Sequence, residues 1–314
     1  MKGGVARTKV LLTGSTGLLG LSLLRNRPAG LDVCAGYYNF PEESLIGFAG
    51  VRYVPLDIQK ADEVSGVCEA VSPDIVVHTA SIGNVDYCEK HRAQAWEVNV
   101  EGSRRIIEAC KRVGAALLFT SSNAVFDGEH PPYAEDDAPN PIDYYGKTKQ
   151  QTELDIAGSG LEYAIARLMT MYGWNHPRER SNPVTWQIEK LIKGEKVNIV
   201  DDIFNNHLFA GNAASAIWAI VGKQRRGIYH LAGGEIISRY GLALKVAQVF
   251  GLDRDLIQPV PSSFFSGIAP RPKNTSYAIG KMERELSVRA VSVNEGLSLM
   301  KKGPPQEWSY GWYP

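Results

Sequence analysis

A short apolar run that leads through three evenly spaced glycines into a leucine-rich segment constrains the fold more than any other feature. Val10-Leu-Leu-Thr13 has the composition of a buried strand, and Gly14-Ser-Thr-Gly17-Leu-Leu-Gly20 follows it without a gap. The leucines that continue to Leu24 have the pattern of a helix. In such an element the first glycine permits a tight turn, the second lets the backbone approach a pyrophosphate, and the third allows close helix packing. The segment therefore predicts a dinucleotide-binding turn, and a purely structural glycine turn is the weaker interpretation.

Apolar runs and helical stretches alternate along the chain after this turn. Strands are predicted at residues 31–38, 51–56, 73–80, 115–120, 161–168 and 227–231, and helices at 60–71, 89–112, from about 143 onward and at 238–250. Strands that alternate with helices at this spacing predict an α/β fold, a Rossmann-type doubly wound parallel sheet that is covered on both faces.

The pattern of alternating apolar runs and helical stretches is interrupted after Gly173, where Trp174-Asn-His-Pro-Arg-Glu-Arg follows. We expect residues 1–173 to form the dinucleotide-binding domain, rejoined by about 200–235, and residues 174–314 to form mainly a smaller C-terminal substrate-binding lobe. The lobe includes the Pro-rich, irregular stretch 259–273. It would cap the carboxyl edge of the sheet, where open α/β sheets bind ligands.

The positions that a dinucleotide would contact lie at the ends of the predicted strands. They are Gly14, Ser15, Thr16, Gly17, Leu18, Leu19, Gly20, Tyr38, Asn39, Asp57, Ile58, Thr79, Ala80 and Ser81, together with Tyr145 and Lys149. At the ribose end, Tyr37-Tyr38-Asn39 offers neither the acid that selects NAD nor the base that accommodates NADP. We therefore expect NADP or NAD, with a weak preference for NADPH. Asp57 has two evenly weighted interpretations: it holds an adenine amino group, or it caps the helix at 60–71.

A tyrosine and a lysine four residues apart follow a Pro-rich turn at Asn140-Pro-Ile-Asp-Tyr-Tyr-Gly-Lys-Thr-Lys. If a helix begins near Asp143, Tyr145 and Lys149 share one face, and the ammonium can bring the phenol pKa toward the working range. The same spacing occurs in Tyr277 and Lys281, so spacing alone proves little. Context favours the first pair, because the apolar run 115–119 ends in three hydroxyl residues at 120–122 and would deliver them at a strand end. The second pair has no such neighbour.

The composition limits the kinds of partner and compartment that we expect for this chain. Lys plus Arg and Asp plus Glu both number 34, and no basic patch favours nucleic acid. No apolar run approaches the length of a membrane-spanning segment. Lys2 to Leu24 superficially resembles a secretory signal, but the dinucleotide-binding turn explains its three glycines better. The four cysteines form no Cys-x-x-Cys pair, which predicts no metal site and a reducing cytoplasm. We interpret His78 as a packed strand-end histidine rather than a catalytic one.

Several motifs together resemble a known family over nearly the entire length. The glycine triplet, Ser122 followed by Val125-Phe126, and Tyr145-Gly-x-x-Lys149 resemble the extended short-chain dehydrogenases/reductases. Val125-Phe-Asp-Gly128, Pro-Pro-Tyr133-x-Glu-Asp-Asp137 and Arg271-Pro-Lys-Asn274 look like the dTDP-4-dehydrorhamnose reductases, which are NDP-sugar ketoreductases.

The resemblance implies a role for each matching residue. Ser122 would hydrogen-bond the substrate carbonyl and Tyr145 would supply its proton. Lys149 would hold the nicotinamide ribose and tune Tyr145, while Asn99 would support a proton relay. The substrate-binding positions are Ser122, Asn123, Ala124, Thr170 and Arg271. For Arg271 there is also a chemical argument, because a planar guanidinium suits the oxygens of a diphosphate and the flanking prolines restrict the loop.

The sequence departs from the family on the substrate side. Ala124 and Thr170 stand where those reductases usually carry Tyr and Trp, and Asn205-Asn-His207-Leu replaces their Gly-x-Pro-Thr segment. Reductase chemistry is therefore better supported than the exact sugar. Asn123 and Ala124 also occupy the place of the Asp-Glu pair of sugar-nucleotide dehydratases, which argues against dehydration.

We expect an NAD(P)H-dependent reductase of a 4-keto-6-deoxy sugar nucleotide. The expected partners are the nucleotide-sugar substrate and, as one option, a second copy of the chain, but neither nucleic acid nor a membrane. Two alternatives stay open. The first is a non-catalytic binding subunit, because the regulatory β subunit of methionine adenosyltransferase looks like these reductases. The second is an epimerase that retains NAD tightly.

Overall fold

The central sheet is built from parallel strands, and the smaller two-stranded sheets lie outside it. The computed structural model describes residues 7–40 and 47–304. Within them the strands are β1 Thr8–Thr13, β2 Leu31–Tyr37, β3 Val51–Pro55, β4 Ile75–His78, β5 Ala116–Ser122, β6 Tyr163–Leu168, β7 Met171–Tyr172, β8 Val197–Val200, β9 Phe204–Asn205, β10 Leu208–Phe209, β11 Gly227–Leu231, β12 Ile237–Ser238 and β13 Ile257–Val260.

Helices connect these strands on both sides of the sheet. They are α1 Leu18–Arg25, α2 Ala61–Val71, α3 Val85–Lys90, α4 Arg92–Trp96, α5 Gly102–Val113, α6 Tyr144–Ala157, α7 Pro183–Ile192, α8 Ala210–Gly222, α9 Arg239–Phe250 and α10 Val293–Met300, with π-helical turns at Glu97–Glu101 and Met282–Leu286. Among the helices of the described ranges, none has both the length and the apolar character that a bilayer-spanning segment needs.

The large sheet has seven strands in the order β11-β6-β5-β4-β1-β2-β3, and every neighbouring pair is parallel. Successive side chains enter different clusters, Leu11 and Leu117 on one face and Leu12 and Leu118 on the other. Burial of both faces is what the near-continuous apolar runs predicted. The strand order reverses between β1 and β4, so a crevice opens at their carboxyl ends. The predicted Rossmann-type α/β fold is confirmed.

Strand ends shift by a residue or two from the predicted ones, and one shift matters. β5 extends through Ser122, so this hydroxyl belongs to the last residue of the strand. The predicted helix at about 143 is confirmed, because Asp143 caps α6 by accepting a hydrogen bond from Gly146 N at 2.8 Å. The predicted strand at 227–231 is β11, which pairs with β6 in the large sheet.

The prediction of one long helix over residues 89–112 is wrong. The helical stretch begins earlier, at Val85, because Asn84 caps α3 by accepting a hydrogen bond from Tyr87 N. It breaks at His91, whose backbone (φ −123°, ψ 54°) is not helical. It resumes in α4 and passes through the π-helical turn, which contains Asn99, before α5. Such turns occur frequently at functional sites.

Candidate functional site

The glycine turn after β1 leaves room for an anion. A Cβ on Gly14 (φ +67°) would lie 2.8 Å from Ala80 N, and one on Gly20 would lie 2.3 Å from Gly14 O. Packing therefore requires both glycines. A Cβ on Gly17 would meet only Gly14 O, at 3.6 Å, so this position stays open to an approaching group. Gly17 is also the N-cap of α1 and makes no side-chain cap, which suits the helix N-terminus to a pyrophosphate.

The neighbouring strand ends enclose this turn. Ser15 N donates a hydrogen bond to Gly36 O at 3.0 Å, and the buried Ser15 Oγ has no partner among the described residues. Thr79 Oγ1 donates to Thr13 O at 2.7 Å, and Ala80 N donates to Thr13 Oγ1 at 3.2 Å. The loop that carries Thr79, Ala80 and Ser81 is thereby fixed against the glycine turn.

An open cavity of about 460 Å³ lies where an adenosine would follow, at the carboxyl ends of β2 and β3. Its lining residues are Tyr37, Tyr38, Asn39, Phe40, Pro55, Leu56, Asp57, Lys60 and Glu63. The Lys60 ammonium is 2.7 Å from a Glu63 carboxylate oxygen, so the base is already paired with an acid. Ile58, in contrast, has its side chain buried in the core beside Gly102.

The interpretation of Asp57 as the cap of α2 is wrong. The N-cap is Lys60, and it makes no side-chain cap. Asp57 instead accepts a hydrogen bond from Gln59 N at 2.9 Å, which closes a local turn before the helix. The alternative, contact with an adenine, stays a prediction.

Ser122 and Tyr145 meet because α6 packs very close to the end of β5. A Cβ on Gly146 would lie 2.0 Å from Ala124 O, so only glycine permits this approach. Ser122 Oγ accepts a hydrogen bond from Ala124 N at 3.2 Å. Burial raises the pKa of Tyr145, and the nearby Ser122 hydroxyl offsets this only in part. The phenol therefore holds its proton at neutral pH.

Lys149 lies one helical turn further along α6 and is 2% exposed. Its Nζ donates to Thr120 O at 3.0 Å and lies 5.7 Å from the centroid of the Tyr145 ring. Burial lowers the pKa of this ammonium to about 8, although Cys88 and Glu153 act in the opposite direction. The expected lowering of the Tyr145 pKa by Lys149 is not what this geometry gives, because burial dominates the phenol and the ammonium is bonded to a carbonyl.

Asn99 connects the loop after β4 to the helix that carries the pair. Its Oδ1 accepts from Ile82 N at 2.8 Å, and its Nδ2 donates to Ile82 O at 3.1 Å and to Thr148 Oγ1 at 3.2 Å. Its carbonyl accepts from the hydroxyls of Ser103 and Thr152. Asn99 is thus placed to orient α6, and its part in a proton relay stays a prediction.

His78 is confirmed as a packed histidine. It bonds Thr13 Oγ1 at 2.8 Å through Nδ1 and Ser103 Oγ at 3.0 Å through Nε2. Burial lowers its pKa to about 3, so the ring stays neutral.

A polar cluster extends from Ser122 toward the C-terminal part of the chain. Asn123 Nδ2 and Asn205 Nδ2 both donate to Thr275 Oγ1, at 2.7 and 2.9 Å. Ala124 is buried, and Thr170 contributes its carbonyl to Leu208 N. Of the predicted substrate positions, Asn123 and Ala124 therefore directly follow Ser122, and Thr170 lies just after the neighbouring strand β6.

Arg271 lies on the loop next to α3. Its guanidinium donates to Asp86 Oδ1 and to Ala269 O, both at 2.9 Å. Burial acts to raise the pKa of Asp86, but the Ala269 N–H and the Arg271 guanidinium hold it below its ordinary value. The charge of Arg271 also acts on Asp143, the cap of α6, so the arginine lies near the start of the helix that carries Tyr145.

Two ionisable residues that are not among the predicted site positions lie in the same region. Arg239 is within electrostatic reach of Arg271 and Asp86, and His207 is within reach of Arg239. A signal for Arg239 exists in the sequence, because a cation in the first turn of a helix opposes the helix dipole. Within residues 7–40 and 47–304, no group of three or more His, Cys, Asp and Glu residues is arranged so that it could hold a metal ion.

Comparison with known proteins gives consistent relationships. The family described as "RmlD substrate binding domain" matches residues 8–302. Methionine adenosyltransferase 2 subunit beta of Bos taurus is 28% identical over 293 residues, which cover 89% of this chain and 83% of the relative. The dTDP-4-dehydrorhamnose reductase of Aggregatibacter actinomycetemcomitans is 26% identical over 294 residues, 90% of this chain and 94% of the relative. The crystal structure of dTDP-4-dehydrorhamnose reductase from Bacillus anthracis in complex with NADP superposes with a TM-score of 0.81 at 27% identity, covering 94% of this chain and 99% of that one.

Proposed function

This chain belongs to the RmlD substrate binding domain family, and on that premise we propose that it is an NAD(P)H-dependent reductase of a 4-keto-6-deoxy sugar nucleotide. The observation that carries the proposal is the convergence of the Ser122 hydroxyl, the Tyr145 phenol and the Lys149 ammonium at the end of β5. This convergence lies beside a glycine turn with room for a pyrophosphate.

The residues divide the reaction between them. A substrate carbonyl that approaches the end of β5 would accept hydrogen bonds from Ser122 and Tyr145, which polarise it. A reduced nicotinamide in the crevice would supply the hydride. As negative charge develops on the carbonyl oxygen, Tyr145 transfers its proton to that oxygen. Because burial keeps the phenol protonated, the donor is in its correct state across the neutral range.

Lys149 acts through position and charge. Its buried ammonium would donate to ribose hydroxyls of the coenzyme and so hold the nicotinamide beside Tyr145. Asn99 and Thr148 would keep α6 in register with the strand end, because their side chains are hydrogen-bonded to each other.

For the coenzyme we propose NADP or NAD with a weak preference for NADPH. The Bacillus anthracis relative was crystallised with NADP. In this chain the cavity at the ribose end contains one base, Lys60, and two acids, Asp57 and Glu63. Since Glu63 pairs with Lys60, the Asp57 carboxylate leaves this cavity with a net negative charge, so the weak preference for NADPH is supported by the relative and not by the charges of the cavity.

The test is turnover with a panel of nucleoside diphosphate 4-keto-6-deoxy sugars, followed by the absorbance of the reduced nicotinamide. We expect consumption of the coenzyme that is stoichiometric with the reduced sugar. Product that forms without net consumption would indicate epimerisation instead. Absence of any turnover with a chain that still binds the coenzyme would contradict the reductase proposal.

A second function is favoured by one observation, the similarity to methionine adenosyltransferase 2 subunit beta over most of both chains. In this alternative the chain binds a methionine adenosyltransferase and turns over no sugar. Size-exclusion chromatography of the chain mixed with that enzyme decides between the two. A stable complex together with absent reductase turnover would support the binding subunit.

A further inference from the structure

We propose that Arg239 is a second anion-binding residue, which binds the diphosphate of the substrate together with Arg271. The inference rests on the proposed nucleotide-sugar function and names the residue pair that would recognise the charged part of that substrate. Arg239 lies outside all of the sequence motifs from which the site residues were predicted.

The position of Arg239 is rigid. It is the first residue of α9, directly after Ser238, whose Oγ accepts a hydrogen bond from Gly241 N at 3.0 Å. Arg239 N donates to Ile203 O at 3.0 Å, and Ile237 pairs with Asn205. Ser238 pairs with Phe204, whose N–H donates to Lys273 O at 2.7 Å. The start of α9 is thus tied to the segment that borders the polar cluster and to the loop that carries Arg271, so the side chain starts from a fixed point.

Helix stability gives no reason for an arginine here. The first turn of α9 contains no acidic residue, and a cation at a helix N-terminus is disfavoured by the dipole. Replacement by a neutral residue would relieve this cost. The helix itself therefore gains no stability from this charge.

The Arg239 guanidinium is largely surrounded by protein while solvent still reaches part of the residue. Burial, followed by the positive charge of Arg271, lowers its pKa to about 10. Among residues 7–40 and 47–304, no oxygen accepts a hydrogen bond from this guanidinium. A guanidinium has five donors, and a desolvated charge without acceptors is costly. An anionic ligand in the remaining opening would satisfy it.

The charges of the neighbourhood fit a ligand with two negative charges. Arg239 and Arg271 repel each other, and Asp86 is the acid whose charge acts on both. Asp86 is already engaged by Arg271 at 2.9 Å and by Ala269 N at 2.9 Å. One positive charge therefore stays without a partner, and displacement of Asp86 from Arg271 would free a second. A diphosphate offers oxygens for both forks.

The site is also in the right place along the substrate. The segment Asn205-Asn-His207 lies between Arg239 and the Ser122 end, because Asn205 and Asn123 share the Thr275 hydroxyl. His207 is 2% exposed, its Nε2 has no partner in the described part of the chain, and Arg239 acts on it electrostatically. A ligand that spans from Ser122 to Arg239 would therefore pass unsatisfied polar groups on its way.

The experiment is isothermal titration of the full chain with dTDP and UDP, and separately with thymidine, uridine and NADPH. We expect Arg239→Met to weaken diphosphate binding by ~10-fold or more, as loss of a charge-assisted contact implies. The nucleosides and NADPH should bind as they do to the wild type. Arg271→Met should give a similar loss, and Arg239→Lys a smaller one, because an ammonium cannot provide two parallel donors.

Two matched variants sharpen the result. Arg254→Met removes an exposed arginine from the same lobe and should change nothing. Asp86→Asn removes the internal competitor for Arg271 and should tighten diphosphate binding. Thermal unfolding reports whether Arg239→Met folds. If it does not, the other two variants still test the proposal, because Arg239→Lys should weaken diphosphate binding and Asp86→Asn should tighten it.

The proposal is overturned if Arg239→Met binds dTDP and UDP as tightly as the wild type, or if the wild type binds neither. It is equally overturned if nucleoside and coenzyme affinity fall together with diphosphate affinity, since that indicates a structural role. Diphosphate binding that depends on Arg239 without any sugar turnover supports this inference and contradicts the reductase. Turnover that is indifferent to Arg239 does the reverse.

Discussion

The chain contains two tyrosine and lysine pairs with the same spacing, and they occupy very different surroundings. Tyr145 and Lys149 both lie on the regular helix α6, so their side chains share a face. Tyr277 lies in a bridge to Tyr133 before the helix begins, and Lys281 lies in the first turn of the helical segment that starts at Gly280. A spacing of four residues places two side chains together only when the backbone between them is helical.

The surroundings of the second pair exclude proton transfer. The ring of Tyr277 stacks on His230 at 3.9 Å, and its buried hydroxyl has no hydrogen-bond partner within the described residues. Lys281 Nζ donates to Ile228 O at 2.7 Å and lies over the ring of Tyr229. Tyr277 is therefore part of the core, whereas Tyr145 has the Ser122 hydroxyl beside it at the edge of the sheet. The difference shows that the spacing alone does not place a tyrosine beside a hydroxyl at a strand end.

The largest expected effect comes from exchanging each tyrosine for phenylalanine. Tyr145→Phe should lower kcat by ~10²–10⁴-fold, because the proton donor is lost, while coenzyme affinity changes little. Tyr277→Phe should leave kcat within about threefold. Steady-state kinetics on both variants make the measurement, and a dead Tyr277→Phe beside an active Tyr145→Phe would show that the pairs are assigned the wrong way round.

The lysines should differ in coenzyme binding. Lys149→Ala should raise the Kd for NADPH by about 10-fold or more as well as lowering kcat, since its ammonium would contact the ribose. Lys281→Ala serves as the matched control, and its Kd should equal that of the wild type. Fluorescence titration of NADPH gives both constants. Equal losses in the two variants would mean that Lys149 acts only on the stability of the fold.

The pH profile should identify Lys149 as the group that limits activity on the alkaline side. The reaction needs the ammonium in its charged form, and burial lowers the pKa of Lys149 to about 8. kcat/KM should therefore be level below pH 8 and fall about 10-fold per pH unit above it. In Lys149→Arg, whose guanidinium stays charged, residual activity should lack this limb. A limb that persists in that variant would have to come from another group.

Stability should respond in the opposite sense to activity at Lys149. Its pKa falls from 10.5 to about 8 on folding, so between these pH values the unfolded chain binds more protons and the free energy of unfolding rises with pH. Below pH 8 the full cost of the buried charge is present. Lys149→Met should raise the free energy of unfolding at pH 7 by about 1–3 kcal/mol, with less gain at pH 10. Urea titrations at both pH values give the free energies of unfolding, with Lys281→Met as the control. A gain in stability that is equal at pH 7 and pH 10 would contradict the prediction.

The smallest effect is expected for the Tyr277 hydroxyl. Because no described residue accepts or donates a hydrogen bond to it, Tyr277→Phe should change the free energy of unfolding by less than about 1 kcal/mol, and in the stabilising direction. Tyr145→Phe should instead lose the contact with Ser122. Thermal unfolding of the two variants compares them directly. A marked destabilisation by Tyr277→Phe would reveal a partner for that hydroxyl.

Much of the architecture follows from local sequence. The strand, glycine turn and helix at residues 10–24 were predictable because backbone sterics restrict such a turn to glycine and because the apolar periods differ between strand and helix. Asp143 and Gly146 likewise set the start of α6 from within three residues of each other. The sequence also favoured one of the two tyrosine pairs, since only Tyr145 and Lys149 follow shortly after the hydroxyl residues at 120–122.

What the tertiary structure alone decided depends on residues that are far apart in the chain. The predicted helix at 89–112 breaks at His91, and Asn99 then bonds Thr148, 49 residues away. The pKa of Tyr145 rises instead of falling, because the burial of a phenol is set by every element packed around it. Arg239 comes within electrostatic reach of Arg271 only because the start of α9 and the loop that carries Arg271 are brought together by the fold. Local propensity and spacing carry no information on desolvation or on such long-range charge contacts, so the fold has to form before the site acquires its chemistry.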